Sequence, residues 1–187
     1  MIGVALVLVA VLGLLGIPRS IPVTINGETQ YLNTNALTVS AALEKDGFVL
    51  KESDQISPDE DSLLLGVQEI EVELARPVHI RVLPASKEVD LFTAERVPDK
   101  LLEVAGIELG EKDQLLMAGE PVDPTQALPY QGDYSLVVRK AVSLQIEDDG
   151  QATSILTSAE TVAQAFEENG IFLKAGDRVN LNRKQFW

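Results

Sequence analysis

Cysteine is absent, so disulfides and thiolate zinc sites are excluded, although this alone does not separate cytosol from exterior. Histidine occurs once, as His79, with no second imidazole to complete a metal pair. A Ser/His/Asp triad would have to recruit that same residue, and no G-x-S-x-G elbow accompanies it. Basic residues are scarce: 15 Lys and Arg stand against 29 Asp and Glu, for a net charge of -14. That balance argues against nucleic-acid binding, which needs clustered cations, and fits a soluble, self-repelling surface.

What is present first is an unbroken apolar run, Ile2 to Ile17 (IGVALVLVAVLGLLGI), ending at Pro18-Arg19. It is slightly short for a bilayer core, which takes roughly 17–25 residues, and long for a signal-peptide core. No small-x-small cleavage site precedes Pro18, and no polar face marks a buried helix. The run predicts a single-pass signal anchor over residues 1–19 in the cell membrane, with the bulk of the chain extracytoplasmic. The basic segment that usually precedes such a run is missing, so a start upstream of Met1 is an open expectation.

After the run, one spacing occurs three times: a threonine, a glycine thirteen residues on, and an aspartate seven beyond that. The copies are Thr34, Gly47 and Asp54; Thr93, Gly106 and Asp113; and Thr157, Gly170 and Asp177. Fixed spacing over copies about sixty residues apart implies one small folding unit in tandem. Each unit opens on a hairpin. Ile21–Ile25 and Thr29–Leu32 alternate around Asn26-Gly27, and Val142–Ile146 and Ala152–Leu156 around Asp149-Gly150, both type I′ signals. The second unit pairs His79–Val82 with Val89–Phe92, with Ser86 in the glycine's place and a different turn.

A helix of about nine residues follows. Thr38 and Thr161 stand at its N-cap, and Thr161 with Gln164 matches a capping box. In the second copy Val97 takes that place and Pro98 the first helical position. The glycines end the helices in left-handed conformation. An apolar-x-apolar pair follows each glycine, and then the aspartate opens a loop. Closing strands are expected at Gln68–Leu74 and Tyr134–Arg139. Hairpin, helix, extended segment and closing strand make an α+β class of tandem β-grasp (ubiquitin-like) modules. The expected bounds are 20–76, 77–140 (degenerate) and 141–187. Asp54 is followed by 21 residues up to Ala75, but Asp177 by ten up to Trp187. The third module is therefore expected to lack its closing strand, with the natural protein continuing or another segment filling the place.

The residues carry a resemblance. Val23–Val78 (VTINGETQYLNTNALTVSAALEKDGFVLKESDQISPDEDSLLLGVQEIEVELARPV) and Val142–Val179 (VSLQIEDDGQATSILTSAETVAQAFEENGIFLKAGDRV) share a hairpin with xxGxxxxxxT, then TVxxAL or its variant, then G-Φ-x-L and D-x-Φ. This resembles the DUF348 module over about residues 20–187, weakest in the second copy. The resemblance implies ubiquitin-like modules, typically three behind one membrane anchor. It points to bacterial cell-wall proteins of the YabE and resuscitation-promoting-factor type. There such modules usually precede a G5 domain and a wall-cleaving domain, neither of which is in this sequence.

No pattern supplies catalysis. The acid groups Asp59-Glu60-Asp61, Asp148-Asp149 and Glu167-Glu168 fall on a loop, a turn and a helix face, not across one cleft as a glycosidase requires. Ser57–Ser62 lacks the central glycine of a calcium loop. The expectation is a membrane-anchored stalk or interaction protein of the bacterial envelope, non-catalytic as written, with no cofactor or metal. Its expected partners are the membrane through residues 2–17 and peptidoglycan or another envelope protein. The alternative is the N-terminal part of a peptidoglycan hydrolase, lytic transglycosylase or 3D-type.

Overall fold

The computed structural model describes residues 18–148, 150–173 and 178–180. The anchor expected over 1–19 lies outside these residues except for Pro18 and Arg19, and Arg19 already begins the first strand. Among the described residues no helix is long and apolar enough to cross a membrane.

The first module contains β1 (Arg19–Ile25), β2 (Glu28–Thr34), α1 (Val39–Lys45), β3 (Gln55–Ser57) and β4 (Ile70–Glu73). β1 and β2 pair antiparallel from Arg19↔Thr34 to Ile25↔Glu28. The turn between them holds Asn26 at φ 48° and Gly27 at φ 83°, the positive values that a type I′ turn demands. β4 then lies parallel to β1, with Val23 opposite Ile70 and Ile25 opposite Val72. The sheet order is β2-β1-β4-β3, so the closing strand sits inside the sheet, shorter than the Gln68–Leu74 expected. The Thr38 hydroxyl accepts the Ala41 N–H at the start of α1. Val39, Ala42 and Leu43 of α1 pack on Ile21, Val23, Leu32, Ile70 and Val72. Each Val, Leu or Ile so buried contributes about 1.5–3 kcal/mol.

The second module repeats this path with β5 (Arg76–Leu83), β6 (Lys87–Thr93), α2 (Pro98–Val104), β7 (Gln114–Met117), β8 (Glu120–Pro121) and β9 (Tyr134–Arg139). Its order, β6-β5-β9-β7-β8, is that of the first module with one more edge strand. β9 is parallel to β5, as β4 is to β1. The copy whose sequence is most degenerate thus keeps the topology. Ser86 takes φ 51° at the turn position that glycine holds elsewhere. Arg76 pairs with Thr93, so the second sheet starts one residue before the boundary expected at 77.

The third module shows β10 (Val142–Asp148), β11 (Gln151–Thr157) and α3 (Val162–Glu168). Asp149 of its expected turn lies outside the described residues, and Gly150 has φ 78°. The Thr161 hydroxyl accepts from Gln164 N, while Gln164 Oε1 reaches back to Glu160 N, one residue beyond the cap. Among the described residues β10 and β11 form a two-stranded sheet, with no strand where β4 and β9 stand in the other modules. Leu144 and Ile146 are only half-buried there.

Two features differ from the sequence expectation. The helices have seven residues each rather than nine. Asp54 and Asp113 do not open loops: each is followed at once by a short strand, β3 or β7, which pairs antiparallel with the closing strand (Ile56↔Val72, Leu115↔Val138). That closing strand supplies the ladder partners, a tertiary cause that the local sequence does not show. Because β4 and β9 run parallel to β1 and β5, the chain enters each of these modules at one end of its sheet and leaves at the other.

Candidate functional site

The repeat residues occupy equivalent positions wherever they are described. The hydroxyls of Thr34, Thr93 and Thr157 accept the N–H two residues on, from Ala36, Glu95 and Ala159, at 3.0–3.1 Å. That bond turns the chain from the hairpin toward the helix. Gly47, Gly106 and Gly170 have φ 88°, 64° and 69°. Past them, the N–H groups of Phe48, Ile107 and Ile171 return to the carbonyls of Leu43, Leu102 and Phe166, closing each helix with a Schellman bond.

Each described aspartate uses both carboxylate oxygens. Asp54 Oδ2 accepts Lys51 N at 2.8 Å, while its Oδ1 accepts Ala75 N at 2.7 Å. Asp113 does the same, with Oδ2 on Gly110 N and Oδ1 on Ala141 N, both at 2.7 Å. Ala75 and Ala141 lie just after a closing strand, at the start of the next module. Each carboxylate therefore holds the loop after its own helix to the first residues of its successor. Asp113 also receives Lys140 Nζ at 2.5 Å and has a side chain only 5% exposed. Burial pushes the Asp113 carboxyl up, but the Lys140 bond, the two backbone N–H groups and the Lys140 charge together hold it below the usual aspartate range. Asp177 lies outside the described residues.

The joint between the first two modules gathers several charged and aromatic side chains. Arg76, 4% exposed, is the first residue of β5. Its guanidinium donates to Leu74 O from Nε (3.2 Å) and Nη2 (2.9 Å), to Gln131 O (3.2 Å), to the Tyr134 hydroxyl (3.1 Å) and to Asn26 Oδ1 (3.0 Å). Asn26, the first residue of the hairpin turn, also accepts Leu74 N. Tyr134 passes its own proton to Pro129 O at 2.8 Å. Beside this network Arg96 stacks 3.8 Å from the centroid of the Tyr130 ring. The Tyr130 hydroxyl donates to Glu73 Oε1 at 2.5 Å. Glu73 Oε2 lies 3.4 Å from Arg96 Nε and 3.9 Å from Arg76 Nη2, an ion-pair contact without a hydrogen bond. The bond to Glu73 is the largest cause raising the Tyr130 hydroxyl above its usual range, followed by burial and the Glu73 charge, with Arg96 and Arg76 opposing.

A cleft of about 630 Å³ opens beside this joint, between Ile25, Thr29, Gln30 and Phe48 of the first module and Tyr130 and Gln131 of the second. The hairpin glycine is part of the fit. A Cβ on Gly27 would come within 2.7 Å of Tyr130 Cε2, whereas one on Gly150, at the equivalent turn of the third module, would meet nothing within 4 Å. Gly27→Ala is therefore expected to destabilise by about 1–3 kcal/mol more than Gly150→Ala. Urea unfolding midpoints of the two variants measure the difference. Equal losses would mean that Tyr130 does not seat on the turn.

His79, on β5, has Nδ1 2.7 Å from Asp90 Oδ1 across the hairpin, with both side chains exposed. The acids Asp59, Glu60 and Asp61 lie exposed on the loop between β3 and β4. The residues that do converge, Glu73, Arg76, Arg96 and Tyr130, carry no sequence signal beyond the position of Arg76 at the short connection between two modules. They are up to 57 residues apart and meet only through tertiary structure. What they form is a polar joint: Arg76 has every N–H bonded to an acceptor, and Arg96 meets Glu73 and the Tyr130 ring, with no nucleophile and base side by side among these four.

The chain matches the family model DUF348, described as the G5-linked-Ubiquitin-like domain, over residues 21–61 and 144–183. These are the first and third modules, and the second is joined to them by its topology. Among characterised proteins, the chain is 24% identical over 161 residues to the "Putative cell wall shaping protein YabE" of Bacillus subtilis, covering 86% of this chain and 37% of that protein. It is 31% identical over 163 residues to the resuscitation-promoting factor Rpf2 of Corynebacterium glutamicum, covering 87% of this chain and 41% of that protein. The chain thus spans about two fifths of the length of either relative.

Proposed function

From a chain that carries DUF348 modules in tandem, we propose a membrane-anchored, extracytoplasmic stalk of the bacterial envelope, non-catalytic in itself, that holds an attached or bound partner near the cell wall. The observation that supports this most is the repeated joint. Glu73 and Arg76 leave two residues between β4 and β5, and Arg139 and Val142 leave two between β9 and β10. Each short passage is bound by the preceding aspartate. Connections so short and so fully hydrogen-bonded serve to set distance and orientation, unlike a flexible tether. The cell-wall names of both relatives favour the envelope as the place where that geometry is used.

The test is fractionation with external proteolysis. The full chain expressed in a bacterium is expected in the membrane fraction and to be digested when protease is added outside intact protoplasts. Recovery in the cytosolic fraction, protected from protease, would overturn the reading. A second reading, which rests on the resemblance to resuscitation-promoting factors, is that such modules serve a protein that also carries a peptidoglycan-cleaving domain. The two readings agree on this chain's part, since the 187 residues alone are then expected to release no soluble fragments from purified walls. Release of muropeptides would sink the non-catalytic assignment.

A further inference from the structure

Three leucines are left exposed together in the first module: Leu37 at 50%, Leu63 at 64% and Leu65 at 71%. They are neighbours in space as well as in kind. Thr38 and Leu63 face each other in an antiparallel bridge, and Leu64 N donates to Leu37 O at 2.9 Å. Leu64 itself is buried, so its two flanking residues are turned outward by the same short stretch. Arg19 Nη1 donates to Leu64 O at 3.3 Å, which fixes this patch at the end of the sheet where β1 begins. The opposite end of β1, about 20 Å away at 3.3 Å per residue, carries the turn that meets Tyr130 of the second module. The patch therefore lies at the end of β1 away from the second module, where the chain arrives from the apolar run Ile2–Ile17, which ends two residues before Arg19.

We infer that Leu37, Leu63 and Leu65 form a foot by which the first module rests in the outer interface of the bilayer. The inference builds on the reading of Ile2–Ile17 as an anchor and adds a second, side-chain contact to it. The sixteen apolar residues Ile2–Ile17 are fewer than the roughly 17–25 that a bilayer core takes. A span that short draws the adjoining module toward the interface. Apolar side chains on the adjoining surface enter the boundary between headgroups and acyl chains, where their burial is favourable. Two cations stand at the same end to meet lipid phosphates: Arg19, and Lys45, whose ammonium is held by Asn35 at 2.6 Å beside the leucine stretch. The acids Asp59, Glu60 and Asp61 precede Leu63 closely. They repel anionic lipid, so the foot suits a predominantly zwitterionic surface.

The absence of cysteine makes the test direct, because single cysteines take a fluorescent label cleanly. The full chain carrying Leu63→Cys, Leu65→Cys, Val104→Cys or Ala10→Cys is labelled with an environment-sensitive dye. It is then reconstituted into phosphatidylcholine vesicles containing shallow or deep spin-labelled lipid. Positions 63 and 65 are expected to shift to the blue and to be quenched by the shallow lipid, and position 10 by the deep lipid. Val104, 73% exposed on the second module, should show neither change. Quenching at 10 but not at 63 and 65 overturns the foot while leaving the anchor. No quenching at 10 overturns the anchor, and with it the basis of the foot. A blue shift at 63 and 65 without lipid quenching means that the apolar run folds back onto the leucines, which also overturns the inference. Added anionic lipid at low salt should weaken the quenching at 63.

Discussion

Replacing Arg76 with alanine is expected to destabilise the protein by about 3–5 kcal/mol, the range seen when one partner of a buried charged network is removed. The side chain is 4% exposed and makes five hydrogen bonds. Its loss leaves Asn26 Oδ1, Leu74 O and Gln131 O with fewer donors in a buried site, and leaves Glu73 with the Arg96 cation and the Tyr130 hydroxyl. Arg76→Lys should recover little, because a compact ammonium cannot span acceptors that a planar fork reaches in different directions. Because the bonds cross from the first module to the second, the effect should also be visible in cooperativity. Guanidinium unfolding followed by circular dichroism is expected to change from joint to separate transitions for the two modules. A loss below about 1 kcal/mol, the size of a single neutral hydrogen bond, with an unchanged profile would show that the joint does not couple them.

Asp113→Asn is expected to lower stability by about 2–3 kcal/mol, a charge-assisted hydrogen bond lost together with a donor left unpaired. An amide cannot serve the site in either orientation. One of its ends must present NH₂ to Gly110 N–H or Ala141 N–H, and the Lys140 ammonium loses its counter-charge. The same residue sets a pH dependence. Its carboxyl is held below the usual aspartate range in the folded protein. Its contribution is therefore complete above the ordinary aspartate value of about 4 and disappears as pH falls through the lower folded value. Acid titration of stability should show the wild type losing ground below about pH 4 and the variant losing less. The flattening should be partial. Glu95 is also shifted down, its burial being outweighed by the Val97 and Arg96 N–H groups and by Lys100. If variant and wild type lose stability in parallel, the aspartate is not the acid-labile clamp.

The parts of the fold written in local chemistry were legible in the chain itself. Asn26-Gly27 announces its turn because few other dipeptides accept two positive φ values. Thr38 and Thr161 announce helix starts because a hydroxyl there binds an otherwise orphaned N–H. β3 and β7 were not legible. Gln55–Ser57 alternates over three residues only, too few to mark a strand, and Gln114–Met117 buries both Leu115 and Leu116 and so breaks the alternation. Their partner is a closing strand many residues away. The joint was hidden for the same reason. The spacing located Asp54 and Asp113 and read each as the opening of a loop, whereas one oxygen of each carboxylate binds the segment after its own helix. The other binds Ala75 or Ala141, and only the folded chain brings those residues within reach.

The parallel placement of β4 beside β1, and of β9 beside β5, has a mechanical consequence. A pull applied along the chain enters the first module at Arg19 and leaves at Glu73, at opposite ends of two strands bonded side by side. Such a load acts along the strands, so the bonds between them are strained together in shear and do not open one after another like a zip. The second module is loaded in the same way from Arg76 to Arg139. The two modules that carry a closing strand are therefore built to transmit tension lengthwise, with the Arg76 cluster as the coupling through which the force passes from one to the next.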